Sequence, residues 1–117
     1  MRRPLAYISF NSTGNRKEVI EAAKQYCRMT YLAGYSPICP ALFQMNFLSA
    51  DKPIEYKDGR EMANDLLRRA RVLVVCGDAE SKEELEDMAI ARRYQIPILA
   101  FSDMVFILEK IVKGMKG

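Results

Sequence analysis

Residues 72–91 have the sequence VLVVCGDAESKEELEDMAIA. The first five residues form a continuous apolar run that is mostly β-branched, which predicts a strand buried on both faces. A Gly-Asp pair ends the run. Ser81 is followed three residues later by Glu84, the signature of a capping box, so a helix should begin near Lys82. In open α/β sheets ligands bind where the carboxyl ends of strands meet helix N-termini, so this junction is predicted to form one wall of any small-molecule site.

The same succession of strand, loop and helix extends along the chain. We predict strands at 5–10, 35–39, 72–76 and 96–101, and helices at 16–33, at 58–70, from about 82 and from 102 or 103. Strands that alternate with helices through short connections form a mainly parallel sheet with helices on both faces. The chain is therefore predicted to be a single domain (1–117) with a three-layer, doubly wound α/β fold of Rossmann or flavodoxin type and about four to five strands.

The segment 41–53 is predicted to be irregular. It carries several large apolar side chains, which are Leu42, Phe43, Met45, Phe47 and Leu48. An apolar segment of this length is seldom a plain surface loop. We expect it either to cover a pocket or to form a contact between subunits.

The composition argues against several classes of protein. The net charge of +3 is mild, so binding to nucleic acid is not expected. No apolar run approaches the roughly 20 residues that cross a bilayer, and no signal-like apolar segment follows the two N-terminal arginines. We therefore expect a soluble cytoplasmic protein with no membrane partner.

The absence of histidine limits the chemistry that is available. It removes the Ser-His and Cys-His nucleophile pairs and any histidine metal site. The chain has three widely spaced cysteines, Cys27, Cys39 and Cys76, and no CxxC motif. We interpret them as buried free thiols in a reducing compartment. The dinucleotide and P-loop fingerprints are missing. No metal and no organic cofactor is indicated, so any reaction should depend on carboxylates, hydroxyls, backbone amides or lysine.

Three groups of polar residues are candidates for a site. The loop 10–15 after the first strand presents hydroxyls and backbone N–H groups to an anion or a sugar, although helix caps use the same residue types. The acidic residues of the third loop and helix either complement the helix dipole or, like Asp87 one turn before the small Ala91, face a ligand. Glu61 and Asp65 are one turn apart on the second helix, either as surface charges or as a pair at the carboxyl edge of the sheet.

A set of short motifs extends along about residues 6–101. They are Tyr7-Ile8-Ser9, Ala23-Lys24-Gln25-Tyr26-Cys27, Gly34-Tyr35-Ser36-Pro37-Ile38-Cys39-Pro40, Glu61-Met62, Val75-Cys76-Gly77-Asp78, Ser81, Ala91 and Ile96-Pro97-Ile98. In their order and spacing they resemble the nucleoside 2-deoxyribosyltransferase-like families, in particular a small branch of uncharacterised bacterial and phage proteins.

The resemblance implies a retaining glycosyl transfer, in which a helix-three carboxylate attacks the anomeric carbon of a deoxynucleoside and forms a covalent sugar intermediate. The family pattern has glutamate four residues before the alanine aligned with Ala91, where this chain has Asp87. It often has glycine two residues after the serine aligned with Ser81, where this chain has Glu83. Aspartate is one methylene shorter than glutamate, and a misplacement of about 1 Å can cost roughly a hundredfold in rate.

Carried over to this chain, the resemblance implies a nucleoside or nucleotide substrate. Asp87 would be the nucleophile, and Asp65 or Asp78 would orient the sugar or assist the leaving base. The substrate-binding residues would be Phe10, Asn11, Ser12, Thr13, Gly14, Gly77, Ser81 and Glu61. A homo-oligomer is expected, because the related transferases complete their sites with residues from a neighbouring subunit.

Two other functions are compatible with the same residues. The pocket would hold a nucleoside or nucleotide without turnover, as a sensor or regulatory module. Alternatively, the fold would serve only as an interaction scaffold, with 41–53 as its contact surface.

Overall fold

The computed structural model describes residues 2–77 and 81–116, and these contain a sheet of four parallel strands. In chain order the strands are β1 (Leu5–Ser9), β2 (Ser36–Ile38), β3 (Val72–Val75) and β4 (Ile98–Ala100). Their spatial order is β2-β1-β3-β4, and Ser9 pairs with Val75 at the carboxyl ends of the two central strands. The predicted parallel α/β sheet is confirmed.

Five helices connect or follow these strands in the described residues. They are α1 (Arg16–Leu32), α2 (Pro40–Gln44), α3 (Pro53–Arg69), α4 (Lys82–Arg93) and α5 (Phe101–Lys116). The predicted cap of α4 is confirmed, because the Ser81 hydroxyl accepts a hydrogen bond from the Glu84 N–H and the helix begins at Lys82. No helix of the described part of the chain is both long and apolar enough to cross a membrane.

The core lies on both faces of the sheet because successive strand residues point to opposite sides. Ala6 and Ile8 of β1 join a buried cluster with residues of α1, such as Val19 and Ala23. Tyr7 lies between them and joins a second buried cluster. The helical members of this cluster include Ala63 and Leu67 of α3 and Ala91 of α4. This arrangement has the three layers of a doubly wound fold.

Two prolines explain why the starts of two helices differ from the prediction. Helix α3 begins at Pro53 and not at Asp58, and the segment expected to be irregular starts with the short helix α2 at Pro40. Proline is well suited to the first helical position, where its missing N–H would have had no partner in the helix. Strand β4 is also shorter than predicted, because the N–H of Ile96 still bonds to Ala91 at the end of α4.

Candidate functional site

A polar cluster joins three elements at the carboxyl end of β1. Ser9 is the last residue of that strand, and its hydroxyl donates a hydrogen bond of 2.7 Å to Oδ2 of Asp87 on α4. Nη2 of Arg60, on α3, donates a 2.8 Å bond to the other oxygen, Oδ1. The Asp87 carboxylate is therefore held on both oxygens by groups from two other elements.

Burial makes this ion pair electrostatically strong. The side chain of Asp87 is 4% exposed and that of Arg60 is 18% exposed. Burial raises the pKa of Asp87 above its ordinary value, although the Ser9 hydrogen bond and the Arg60 charge both act to lower it. Burial also opposes the charge on Arg60, but the carboxylate beside it outweighs this and raises the pKa of the guanidinium. Each of the two groups therefore favours the charged form of the other.

Tyr7 extends the cluster on the same face of β1 as Ser9. Burial, followed by the Asp87 charge, raises the pKa of its phenol well above the ordinary value. The charge of Arg60 acts in the opposite direction and lowers this pKa. The phenol therefore remains neutral beside the ion pair.

A second polar pair lies farther out between α3 and α4. The Tyr56 hydroxyl donates a 2.7 Å hydrogen bond to Oε1 of Glu83. This bond lowers the pKa of Glu83 and raises the pKa of Tyr56 to about 12. Arg60 also contacts this helix, at 3.5 Å from the Glu83 carbonyl and 3.4 Å from Glu86 Oε2.

A cavity of about 780 Å³ opens beside Asp87, within the size range of small-molecule sites. It has three walls, formed by the loop after β1, the segment from α2 to α3, and the facing sides of α3 and α4. The lining residues of the β1 loop and of α3 and α4 include Phe10, Ser12, Thr13, Gly14, Tyr56, Arg60, Glu83 and Asp87. The cavity therefore lies at the carboxyl end of the central strand β1, and ligands bind at this edge of open α/β sheets.

The segment from α2 to α3 forms the remaining wall. Its lining residues are Ala41, Gln44, Met45, Leu48, Ser49, Ala50 and Asp51. Gln44 fastens it to α3 by a 3.0 Å hydrogen bond to the carbonyl of Gly59, and Arg16 donates a 3.2 Å bond to the carbonyl of Met45. Of the two roles expected for 41–53, its place in the cavity wall supports the first.

We expect Gly59→Val to loosen this wall. A Cβ at position 59 would lie 2.8 Å from Oε1 of Gln44 and 3.3 Å from a methyl of Leu48, so both side chains must move. The end of the Gln44 side chain can move away, so the main cost is the loss of its hydrogen bond to the Gly59 carbonyl, which lowers the free energy of unfolding by about 0.5–1.5 kcal/mol. Amide hydrogen exchange over residues 40–52 should also become faster.

Gly114→Val is the matched control, because a Cβ at Gly114 has no neighbour within 4 Å. Its effect on the free energy of unfolding should stay within about 0.5 kcal/mol, as for most surface changes. Equal effects of the two substitutions would contradict the close fit at Gly59.

The structure brings together five of the residues predicted for the site. Asp87, Phe10, Ser12, Thr13 and Gly14 all line the cavity.

Three further predicted residues do not line the cavity but hold the backbone of its loops and helix. Asn11 holds the loop, since its Oδ1 accepts hydrogen bonds from the backbone and hydroxyl of Thr13. Ser81 caps α4, and Gly77 turns the chain after β3 with a φ of 78°. Asp78 lies outside the described residues.

Glu61 and Asp65 lie outside the cavity lining, so the expectation that they would reach the sheet edge needs correction. Both side chains are exposed, and their partners are Lys57 at 4.0 Å and Arg68 at 3.9 Å. The inward face of α3 carries Arg60 instead, one position away from Glu61. A shift of one residue turns a side chain by about 100° around a helix.

Sequence reasoning missed Tyr7, Ser9 and Arg60 as parts of the site. The first two alternate along β1, and this period of two places them on one face of the sheet. Arg60 lies three residues before the buried Ala63 and seven before the buried Leu67, on an apolar helix face. An arginine in such a position indicates a buried partner, because arginine is seldom buried unpaired.

Within residues 2–77 and 81–116, no three carboxylates or thiols are grouped closely enough to hold a metal ion. A family model described as Domain of unknown function (DUF7768) matches residues 4–101, which include all four strands and the Ser9, Arg60 and Asp87 cluster. A comparison with curated proteins found no match.

Proposed function

The chain belongs to the DUF7768 family, and from its cavity we propose that it transfers or hydrolyses the N-glycosidic bond of a deoxynucleoside or deoxynucleotide. One observation carries this proposal. The Asp87 carboxylate reaches the wall of a small-molecule cavity, and Ser9 and Arg60 fix its orientation through both of its oxygens. A preorganised carboxylate is what a retaining glycosyl transfer requires of its nucleophile.

In the proposed reaction, one oxygen of Asp87 attacks the anomeric carbon and forms a carbon–oxygen bond. The bond from that carbon to the base breaks, and its electron pair leaves with the base, which takes up a proton from water. A second base or a water molecule then attacks the same carbon and gives its proton to the hydroxide left by the first step, and Asp87 is released as the carboxylate. Arg60 keeps Asp87 ionised against the effect of burial, because a protonated carboxyl group is a poor nucleophile.

The loop after β1 supplies the polar wall that a sugar would contact. Ser12 and Thr13 line the cavity and are exposed. The Ser12 hydroxyl can donate a hydrogen bond to a sugar oxygen, whereas the Thr13 hydroxyl already donates to Asn11 and can accept one from a sugar hydroxyl. Asn11 restrains Thr13 through two hydrogen bonds, of 3.0 and 2.6 Å. We assign sugar binding to this loop and glycosyl chemistry to Asp87.

The second candidate function is binding of the same ligand without turnover. The observation that favours it is the 2.8 Å ion pair between Arg60 Nη2 and Asp87 Oδ1. The positive charge of the guanidinium makes this carboxylate oxygen less nucleophilic. In this case Asp87 would act through Arg60, by presenting the guanidinium to the ligand.

Chromatography separates the two functions. The protein is incubated with a mixture of deoxynucleosides, deoxynucleotides and free bases, and the products are compared with those of a protein-free control. New nucleosides or released bases are expected for the enzyme. Unchanged compounds that nevertheless raise the melting temperature of the protein would indicate binding alone. Compounds that are neither changed nor bound would contradict both functions.

We also propose that the protein is a homo-oligomer that uses the outer side of the cavity wall. Phe43 is 70% exposed and Phe47 is 53% exposed, and their rings are in edge-to-face contact. With Met62 and Leu66 of α3 they line an apolar groove of about 290 Å³. Exposed apolar surface that is grouped in this way is typical of protein contacts.

The double substitution of Phe43 and Phe47 by serine should lower the mass measured by sedimentation equilibrium. It removes the two most exposed rings of the groove and leaves the cavity lining intact. Phe106→Ser is the matched control, because Phe106 is similarly exposed but lies on α5. An unchanged mass for the folded double variant, or a lower mass for the control alone, would overturn this contact.

A further inference from the structure

Arginine residues are concentrated at the edge of the sheet opposite the cavity, where the parallel strands begin. We call this the amino edge. Helices α3 and α4 end there, because each is followed by the start of a strand. Six of the chain's ten arginines lie at this edge, and all six are exposed. They are Arg3, Arg68, Arg69, Arg71, Arg92 and Arg93.

On one side of the amino edge, Arg3 lies over the ring of Tyr31 at the end of α1. The guanidinium carbon of Arg3 is 4.3 Å from the ring centroid, and that of Arg28, one turn earlier on α1, is 5.3 Å from it. Nη1 of Arg3 also donates a 2.8 Å hydrogen bond to the Tyr31 carbonyl. The Tyr31 ring therefore holds two guanidinium groups close together on the surface.

On the other side of the amino edge, Arg68 and Arg93 lie over the ring of Tyr94, at 5.1 and 5.9 Å from its centroid. Arg68 is in the last turn of α3 and Tyr94 directly follows α4, so this contact joins the ends of two helices. Arg71 connects the two sides, because its N–H donates a 2.8 Å hydrogen bond to the carbonyl of Leu5 at the start of β1. The arginines therefore form one continuous basic surface.

Little negative charge balances this surface. The segments 2–5, 28–36, 66–72 and 90–97 contain its arginines and have no aspartate or glutamate. In the described part of the chain, its arginines form one ion pair, between Arg68 and Asp65 at 3.9 Å. Carboxylates are instead grouped at the opposite edge, where four of them line the cavity. The mild net charge of +3 is the sum of these two regions and does not reflect the basic one.

The helix dipole accounts for only part of the basic surface. Cations in the last turn of a helix complement its dipole, and α3 and α4 each have two arginines there. Arg3 and Arg71 lie outside the helices, so the dipole gives no reason for their positions. A surface that gathers both groups of arginines attracts polyanions.

We propose that the amino edge binds nucleic acid through its phosphate groups, without selection of the base sequence. A guanidinium group donates two parallel N–H bonds and so matches the geometry of a phosphate. Charge alone gives weak binding to a membrane, whereas phosphate contacts supply essentially all of the sequence-independent affinity for nucleic acid. The inference is independent of the glycosyl chemistry proposed for Asp87, which lies at the opposite edge of the sheet.

Fluorescence anisotropy with labelled DNA duplexes tests the proposal. Two duplexes of unrelated sequence should bind with equal affinity. For about four phosphate contacts, the affinity should fall on the order of a hundredfold between about 50 and 200 mM salt. Failure of both duplexes to bind at the lower salt concentration, or binding that salt does not weaken, would overturn the proposal.

The triple substitution of Arg69, Arg71 and Arg92 by glutamine should weaken DNA binding by at least about tenfold and lower the slope of the salt dependence by about three. In the described part of the chain, these three side chains make no hydrogen bond or ion pair, so the variant should fold with an unchanged melting temperature.

The matched control is the triple substitution of Lys17, Lys52 and Lys57 by glutamine. These lysines are exposed near the starts of α1 and α3, at the opposite edge, and the net charge changes by the same amount. The control should weaken DNA binding by less than about threefold, because salt screens distant charges. Equal losses in the two variants, or binding to vesicles of anionic lipid without binding to DNA, would refute a nucleic-acid site at the amino edge.

Discussion

Asp87→Asn should lower the rate of glycosyl transfer or hydrolysis by about a thousandfold or more, as removal of a nucleophile does in other enzymes. Asparagine has the same shape, but its amide cannot form the covalent sugar intermediate. Its oxygen can still accept the hydrogen bond from Arg60, and Arg60 keeps a second carboxylate, Glu86, at 3.4 Å. The variant should therefore fold, which circular dichroism and the melting temperature will show.

Glu83→Gln is the matched control for that loss. Glu83 also lies on α4 and lines the cavity, but its carboxylate is bonded to Tyr56, and only its backbone carbonyl contacts Arg60. The turnover rate measured by chromatography should change by less than about tenfold, which corresponds to roughly one moderate hydrogen bond. If Glu83→Gln lost more activity than Asp87→Asn, the assignment of the nucleophile would be refuted.

Arg60→Met should lower the free energy of unfolding by about 3 kcal/mol at neutral pH, because it leaves the Asp87 charge buried without its partner. The Asp87 side chain is 4% exposed, so water cannot replace the guanidinium without a change in structure. Chemical denaturation followed by circular dichroism gives this free energy directly.

The loss in Arg60→Met should depend on pH in a defined direction. The pKa of Asp87 is already raised in the folded state, and removal of Arg60 takes away a cause that lowers it. A carboxyl group with a raised folded pKa costs stability above that pKa and regains it as the pH falls towards the ordinary value of 3.8. The difference between the variant and the unmodified protein should therefore be large at pH 7 and small near pH 4.

Arg68→Met on the same helix is the control for the loss of an arginine. Arg68 pairs with Asp65 at 3.9 Å, and both side chains are more than half exposed. An exposed pair of this kind contributes less than about 1 kcal/mol. Equal losses for the two variants, or a loss in Arg60→Met that does not change with pH, would contradict the account of a buried ion pair.

The features of the fold that depend on short-range patterns were predictable. The apolar run before Gly77 correctly predicted the strand β3, and the spacing of Ser81 and Glu84 correctly predicted the start of α4. The prolines at 40 and 53 carried a helix-start signal that the apolar composition of their neighbourhood hid. Helix starts at these two positions were therefore missed.

The candidate site was predictable only in part because it depends on long-range pairing. The four-residue spacing between Asp87 and Ala91 correctly predicted that both lie on one face of α4, which is its buried face. Its partners Ser9 and Arg60 are 78 and 27 residues away in the chain, and no local pattern relates such positions. Glu61 and Asp65 were chosen for their charge, whereas the orientation of α3 brings Arg60 to the cavity.

The most direct test of Asp87 as nucleophile is to trap the sugar on it. A deoxynucleoside with fluorine beside the anomeric carbon slows the breakdown of the intermediate, because fluorine destabilises the oxocarbenium-like transition state. We predict that the intact mass will rise by one fluorinated sugar and that peptide mapping will place this sugar on Asp87, with no adduct in Asp87→Asn. An adduct on another carboxylate, or turnover of deoxynucleosides with no adduct, would contradict the account.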